Sequence, residues 1–306
     1  MQNHKNTLIT IVGPTAIGKT ALSIQLANYF NADIISCDSR QFFKEMTIGT
    51  AVPETDELAA AKHHFIQNRS IFEDYNVGSF ERDALQKLDT LFQENSVQVM
   101  VGGSGLYIDA VLKGLDYFPE VDPKIREKLT TQLHEKGIET LQEKLKELDL
   151  ETYNTIAIDN PHRIMRALEI CIGSNTPYST FKNKPKAPRN FNSIKIGLHA
   201  DREIIYSRIN QRVDLMMANG LLEEAKKLHP NKKLNALQTV GYRELFSFFD
   251  GDITKDFAIS EIKKNTRRFA KRQGTWFKKD EETLWFDYQT NISEIILKIS
   301  DKINAF

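Results

Sequence analysis

Leu8–Thr20 reads LITIVGPTAIGKT. Leu8–Val12 is apolar and rich in β-branched residues, the composition of a strand buried on both faces of a parallel sheet. Gly13–Thr20 then fits G-x-x-x-x-G-K-T without a gap. From Thr20 to Phe30 the apolar residues Leu22, Leu26 and Phe30 fall on one helical stripe. A strand, a glycine loop and a helix in this order make a phosphate cradle. Gly13 and Gly18 permit backbone angles and close approach that a side chain would block. Successive N–H groups of Gly13, Pro14, Thr15, Ala16, Ile17 and Gly18 (proline excepted) converge on an anion, aided by the helix N-terminus. Lys19 adds a point charge, and the Thr20 hydroxyl suits Mg²⁺. The bland alternative is a Gly/Pro turn before a helix, and the complete strand–loop–helix context speaks against it.

Outward from this loop the rhythm continues. Asp33–Cys37 (DIISC) and Val97–Val101 (VQVMV) read as short strands, with a helix over Ser79–Asn95 between them. Such alternation predicts a parallel sheet covered on both faces. Between Asp122 and Thr180 no strand is predicted, and Pro123–Glu135, Ile138–Leu148 and Pro161–Ile172 read as amphipathic helices. Lys182–Asn190 (KNKPKAPRN) reads as a linker. Strand character resumes at Ser193–His199. Helices follow over Arg202–Ala218, Leu221–Leu228, Tyr242–Phe249 and Asp256–Gln273, then a strand at Thr283–Phe286 and a terminal helix. The expected fold is α/β, a P-loop-type parallel sheet core with an all-helical insertion. The core takes residues 1–118 and 192–306, and the insertion residues 119–191.

Of the 306 residues, 41% are hydrophobic and 27% charged, which excludes a wholly disordered chain. Lys plus Arg (41) equals Asp plus Glu (41), so the overall charge points to no nucleic-acid or membrane partner. No apolar run approaches the roughly 18 residues that span a bilayer. Met1–Thr7 is polar and leads straight into a strand, leaving no room for a signal peptide. Two cysteines, Cys37 and Cys171, make no disulfide framework. The expectation is a cytoplasmic protein without a membrane partner, and a monomer.

Ligands of parallel α/β sheets bind beyond the carboxyl ends of the strands. That edge collects Lys19 and Thr20, then Asp38, Ser39, Arg40 and Gln41, then Ser104, then Arg208 and Arg212. Asp38 follows a strand directly, so it is a metal ligand, a general base or a helix cap. Ser104 reads first as a cap of the helix beginning at Leu106. Arg208 and Arg212 lie one turn apart and either clamp a diphosphate or face solvent. The strand VQVMV ends in Gly102–Gly103 with no acidic residue to hold a nucleotide's metal, which favours a site that grips a diphosphate as leaving group over one that hydrolyses a nucleotide. His63–His64 lacks a third ligand at metal spacing and reads as loop or packing.

Ile262–Lys279 carries Lys263, Lys264, Arg267, Arg268, Lys271, Arg272, Lys278 and Lys279 with no acidic residue, and interleaves Phe269, Trp276 and Phe277. It is either a solvated face or a surface for a phosphate backbone and stacked bases. Arg126, Arg163 and Arg166 add charge in the insertion.

Together these segments resemble the bacterial tRNA dimethylallyltransferases, or tRNA isopentenyltransferases. The match runs through GPTAIGKT, DIISCDSRQFFKEMTIGTA (33–51), VGGSGLYIDAVLKGL (101–115), NPHRIMRALEI (160–170), TVGYRE (239–244) and RRFAKRQGTWF (267–277), nearly the whole chain. Ser104 stands where many members have Thr, and NRSIFEDYNVG (68–78) departs from the family's Asp-Pro-Ser-rich version. The resemblance implies transfer of a dimethylallyl group from dimethylallyl diphosphate, with Mg²⁺, to the exocyclic amine of the adenosine 3′ of the anticodon. It makes Asp38 the general base, with Lys19 and Thr20 beside it. Thr15–Thr20 match the donor-binding run. The tRNA contacts it implies are Asp38, Ser39, Arg40 and Gln41, then Ser104 and Arg126, then His162, Arg163, Ile164, Met165 and Arg166, then Gln238, Thr239, Val240, Gly241, Tyr242 and Arg243. The insertion then binds the anticodon stem. The rival readings are an ATP-using small-molecule kinase at the same loop, a non-catalytic RNA-binding protein, and an adenylate isopentenyltransferase acting on free nucleotides.

Overall fold

A computed structural model describes residues 6–306; residues 1–5 of the polar leader lie outside the described residues. In chain order the elements are β1 (Thr7–Val12), α1 (Lys19–Phe30), β2 (Ile34–Ser36), α2 (Thr55–Ala60), β3 (His63–His64), α3 (Val77–Glu94), β4 (Val97–Val101) and α4 (Gly105–Lys113). Then come α5 (Pro123–Leu148), α6 (Leu150–Thr155), α7 (Pro161–Ser174), β5 (Asn192–His199), α8 (Arg202–Ala218), α9 (Leu221–Leu228), α10 (Tyr242–Phe249), α11 (Lys255–Phe277), β6 (Leu284–Asp287) and α12 (Ile292–Asn304).

All strand pairs are parallel, in the order β3-β2-β4-β1-β5-β6. Every residue of β1 is buried, as a central strand covered on both faces requires. Ile9 and Ile11 pack with Leu26 of α1 and Ile295 and Ile299 of α12. Leu8 and Val12 point the other way, to Phe80 and Leu88 of α3 and Ile108 of α4. Period-2 alternation thus feeds two cores from one strand. A third core under the carboxyl edge joins Met46, Val213, Leu221, Tyr242 and Ile262.

The chain divides into two compact units. One runs to Lys113 and resumes at Arg189; the other is Gly114–Pro188. Arg189 and Asn190, read from sequence as linker, fold with the sheet. Arg189 donates to the carbonyls of Ala110 and Val111 and pairs with Glu81, and Asn190 donates to Asp89. The second unit is helical, and Leu129, Leu141, Leu145, Ile164 and Leu168 form its core. Helix α5 is interrupted at Gly137, where φ is 79° and ψ 176°, so the two predicted helices are two helical segments across one break. Helix α6 was not legible in the sequence. Its cap is the buried Asp149, which accepts from Thr152 N and Oγ1 and from Ser179 N and Oγ.

His63–His64 is an edge strand, not a loop: it pairs with Ile34–Ile35, and His64 Nε2 lies 2.7 Å from Asp33. Both cysteines are free and buried, and burial raises the pKa of each thiol. Among the described residues no helix is long and apolar enough to cross a membrane.

Candidate active site

The phosphate loop leaves β1 at Gly13, whose φ is 144° and where an added Cβ would lie 2.8 Å from the Leu198 carbonyl of β5. Gly18, at φ 108°, caps α1. Only glycine meets both demands without strain. Lys19 Nζ donates to the carbonyls of Gly13 (3.1 Å) and Pro14 (2.8 Å). Burial, then the Arg212 guanidinium, push the Lys19 ammonium down to about 8, against a smaller upward pull from Asp38. Arg212 donates to Thr15 Oγ1 at 3.3 Å. Burial first and Arg208 second hold the Arg212 guanidinium below its ordinary value. Lys19, Arg208 and Arg212 line one cleft of about 760 Å³ with Gly18, Thr20 and Asp38. Cations that disfavour one another in a half-buried cleft are stabilised by a polyanion.

Asp38 lies just past β2. Its Oδ1 accepts from Arg40 N at 3.0 Å, a turn-forming bond with no helix to cap. Among the described residues no donor engages Oδ2. The loops after β2 and β4 touch: an added Cβ at Gly102 would collide with the Cys37 carbonyl. Ser104 does not use its hydroxyl as a cap of α4. Its Oγ accepts from Ser39 N and donates to Ser39 Oγ, both at 3.1 Å, tying these loops together. Gln41 is held in place as well: Nε2 donates to the carbonyls of Thr50 and Ala51, and Oε1 accepts from Ser36. Its side chain fastens the loop wall.

Gln273 of α11 was missed in the sequence. It is 6% exposed. Its Oε1 accepts from Thr15 N at 2.9 Å, and its Nε2 donates to the Gly103 carbonyl at 2.9 Å. One buried amide thus joins the phosphate loop to the turn after β4. The only signal was the RQ-x-TWF string itself.

A second cleft of about 580 Å³ shares Asp38, Thr15 and Arg212 with the first. Arg40, Ser104, Thr239, Arg243, Phe269 and Trp276 are on its walls, so segments far apart in sequence meet there. Trp276 is anchored by its indole N–H on Asp109. Gln238 and Gly241 also border it, while Val240 packs partly into the third core. Tyr242 does not offer its side chain to a ligand: it is fully buried, and its hydroxyl donates to Glu224 at 2.6 Å.

The basic stretch is less free of counter-charge than its sequence implies. Lys263 pairs with Asp214 of α8 at 2.6 Å and Lys264 with Glu261 at 2.8 Å. Arg268, Lys271, Arg272, Lys278 and Lys279 are exposed and form no ion pair among the described residues.

In the helical unit, His162, Arg163 and Arg166 are exposed, but Ile164 (0% exposed) and Met165 (5%) are core side chains. Helical spacing turns these two side chains inward, into the packing of the helical unit. Arg126 and Arg166 both pair with the buried Glu169, at 2.9 and 3.4 Å.

Among the described residues no group of three His, Cys, Asp or Glu side chains stands ready to hold a metal. Mg²⁺ does not need one, since it keeps several waters and binds through substrate phosphates with one or two protein oxygens. Thr20 and Asp38, on the same cleft as the cations, fit that mode.

The model of the IPP transferase family matches residues 41–280. The tRNA dimethylallyltransferase of Flavobacterium psychrophilum is 64% identical over 304 residues, covering 97% of this chain and 99% of that protein. That of Flavobacterium johnsoniae is also 64% identical, covering 97% and 98%. Among solved structures, the full-length tRNA isopentenylpyrophosphate transferase of Bacillus halodurans aligns with TM-score 0.74 and 34% identity over 98% of both chains. A eukaryotic dimethylallyltransferase acting on tRNA, 24% identical, shares the fold at TM-score 0.81 over 98% of this chain and 80% of that one. On the family match and the near full-length identity, the chain belongs to the IPP transferase family, among the tRNA dimethylallyltransferases.

Proposed function

We propose that the protein transfers the dimethylallyl group of dimethylallyl diphosphate to the exocyclic amine of the adenosine 3′-adjacent to the anticodon of tRNA, releasing diphosphate. The observation that carries this reading is the meeting of two clefts at Asp38: one is lined by Lys19, Arg208 and Arg212, the other by RNA-compatible polar, basic and aromatic side chains.

Lys19, the loop N–H groups and the two arginines grip the diphosphate. As the C1–O bond breaks, its electron pair goes to the leaving oxygen, and these fixed cations stabilise that charge more than the ground state. Thr20, with the donor's own phosphates, would hold Mg²⁺, which would supply further charge neutralisation there. The adenine amine is a poor nucleophile because its lone pair is delocalised into the ring. The free oxygen of Asp38 accepts the amine proton as the N–C1 bond forms. The base reaches Asp38 only by leaving its stack, and Phe269 and Trp276 offer ring faces on the acceptor cleft. The helical unit, through His162, Arg163, Arg126 and Arg166, is assigned to the anticodon stem. A neutral carboxyl edge on β4, where Val101 runs into Gly102, disfavours the kinase reading.

The test is incubation of the protein with Mg²⁺, labelled dimethylallyl diphosphate and unmodified tRNA, followed by nucleoside analysis. Label on the adenosine beside the anticodon is expected, and Asp38→Ala is expected to keep tRNA affinity while losing at least about a hundredfold in single-turnover rate. Transfer to free AMP but not tRNA, or consumption of ATP with a phosphorylated product, overturns the reading.

A further inference from the structure

We propose that Met216 determines the length of prenyl chain the site accepts. The inference rests on the dimethylallyl-transfer reading above and concerns the donor's alkyl part, which that reading leaves without a partner. Among the described residues that line both clefts (Thr15, Asp38, Thr50, Ala51, Arg212 and Met216, with Gly103) Met216 is the only long apolar side chain. The group in transfer occupies this shared neck, because its C1 must reach the diphosphate on one side and the amine beside Asp38 on the other.

The geometry of α8 gives the direction of the chain. Arg208, Arg212 and Met216 recur every fourth residue, so they share one face, with about 6 Å along the axis from each to the next. A diphosphate held by the two arginines sends its alkyl tail along the same stripe, and the next side chain it meets is Met216. The loop that supplies Thr50 and Ala51 cannot yield in its place. Glu224 accepts from the N–H groups of Thr47, Ile48 and Gly49 at 3.0, 2.8 and 2.9 Å. Gln41 donates to the Thr50 and Ala51 carbonyls at 3.2 and 2.8 Å. With its donors and acceptors engaged, that wall is fixed. Met216, half-buried, unbranched and polarisable, is the adjustable boundary. Shortening it opens room for additional carbons without touching the cations or the base. With a ten-carbon donor the chemistry is unchanged: C1–O breaks with its pair on diphosphate, N–C1 forms, and the amine proton passes to Asp38.

The experiment measures transfer to unmodified tRNA from dimethylallyl and from geranyl diphosphate by wild type, Met216→Ala and Met216→Leu. The readout is the ratio of kcat/KM for the two donors within one preparation, which cancels any loss of folded enzyme. Met216→Ala is expected to raise the geranyl-to-dimethylallyl ratio at least about tenfold, and Met216→Leu to hold it within about twofold, since a methylene or two in an apolar pocket is worth that much discrimination. A ratio in Met216→Ala within about twofold of wild type overturns the inference. A wild-type enzyme that uses neither donor overturns the transfer reading instead.

Discussion

Lys19 is charged only over part of the working pH range, because burial and Arg212 bring its pKa to about 8. The sign follows from which form grips the donor. Below about 8 the ammonium is present and the diphosphate is held; above it the amine is neutral and that attraction is lost. The kcat/KM for dimethylallyl diphosphate reports the free enzyme. It is therefore expected to fall as pH rises through about 8, while kcat holds to higher pH, since bound diphosphate favours the ammonium. Lys19→Arg keeps a permanent charge, so its slower profile should lack this limb; a limb at the same pH in the variant assigns it to another group. The residue type was plain from G-K-T, but its poise was not. The causes are burial first and then Arg212, which is far along the chain and brought close by α8.

At the scale of elements, Gln273 ties α11 to two loops of the sheet edge. Gln273→Leu keeps the helix and most of the volume, but it strands the Thr15 N–H and the Gly103 carbonyl. Leaving such groups unpaired costs about 1–3 kcal/mol. A lowered melting temperature and a raised donor KM are expected together. A stable variant with normal KM removes Gln273 from the positioning of the phosphate loop. Elements that span at least two of their own periods were legible: α8, α9, α10 and β4 have the predicted bounds. The six-residue helices α2 and α6 and the two-residue strand β3 are too short to show a period. Ser104 and Tyr242 show a second limit. A hydroxyl or ring in a motif can be read as a contact, but only the fold reveals that Ser104 joins two loops and that Tyr242 supports Glu224.

Across the whole molecule, zero net charge conceals a divided charge distribution. The alternation of strands and helices made the sheet and the helical unit readable from the sequence. Ion pairing was not readable, because the carboxylate of Asp214 that neutralises Lys263 comes from a different helix. The structure therefore separates two classes of cation on α11. Arg268, Lys271 and Arg272 are exposed and form no ion pair among the described residues, whereas Lys263 and Lys264 already have carboxylate partners. Only the unpaired class releases counterions from RNA at full value on binding, at about 0.7 in log–log slope per phosphate for single strands. Replacing Arg268, Lys271 and Arg272 by Gln should weaken tRNA binding at low salt and flatten the plot of log affinity against log salt by about 2. Replacing Lys263 and Lys264 should flatten it by well under 1, because each exchanges a protein partner for an RNA one. Binding isotherms between about 50 and 200 mM salt resolve such slopes. If the paired lysines contribute as much per residue as the exposed arginines, the partition of α11 into spent and available charge is wrong.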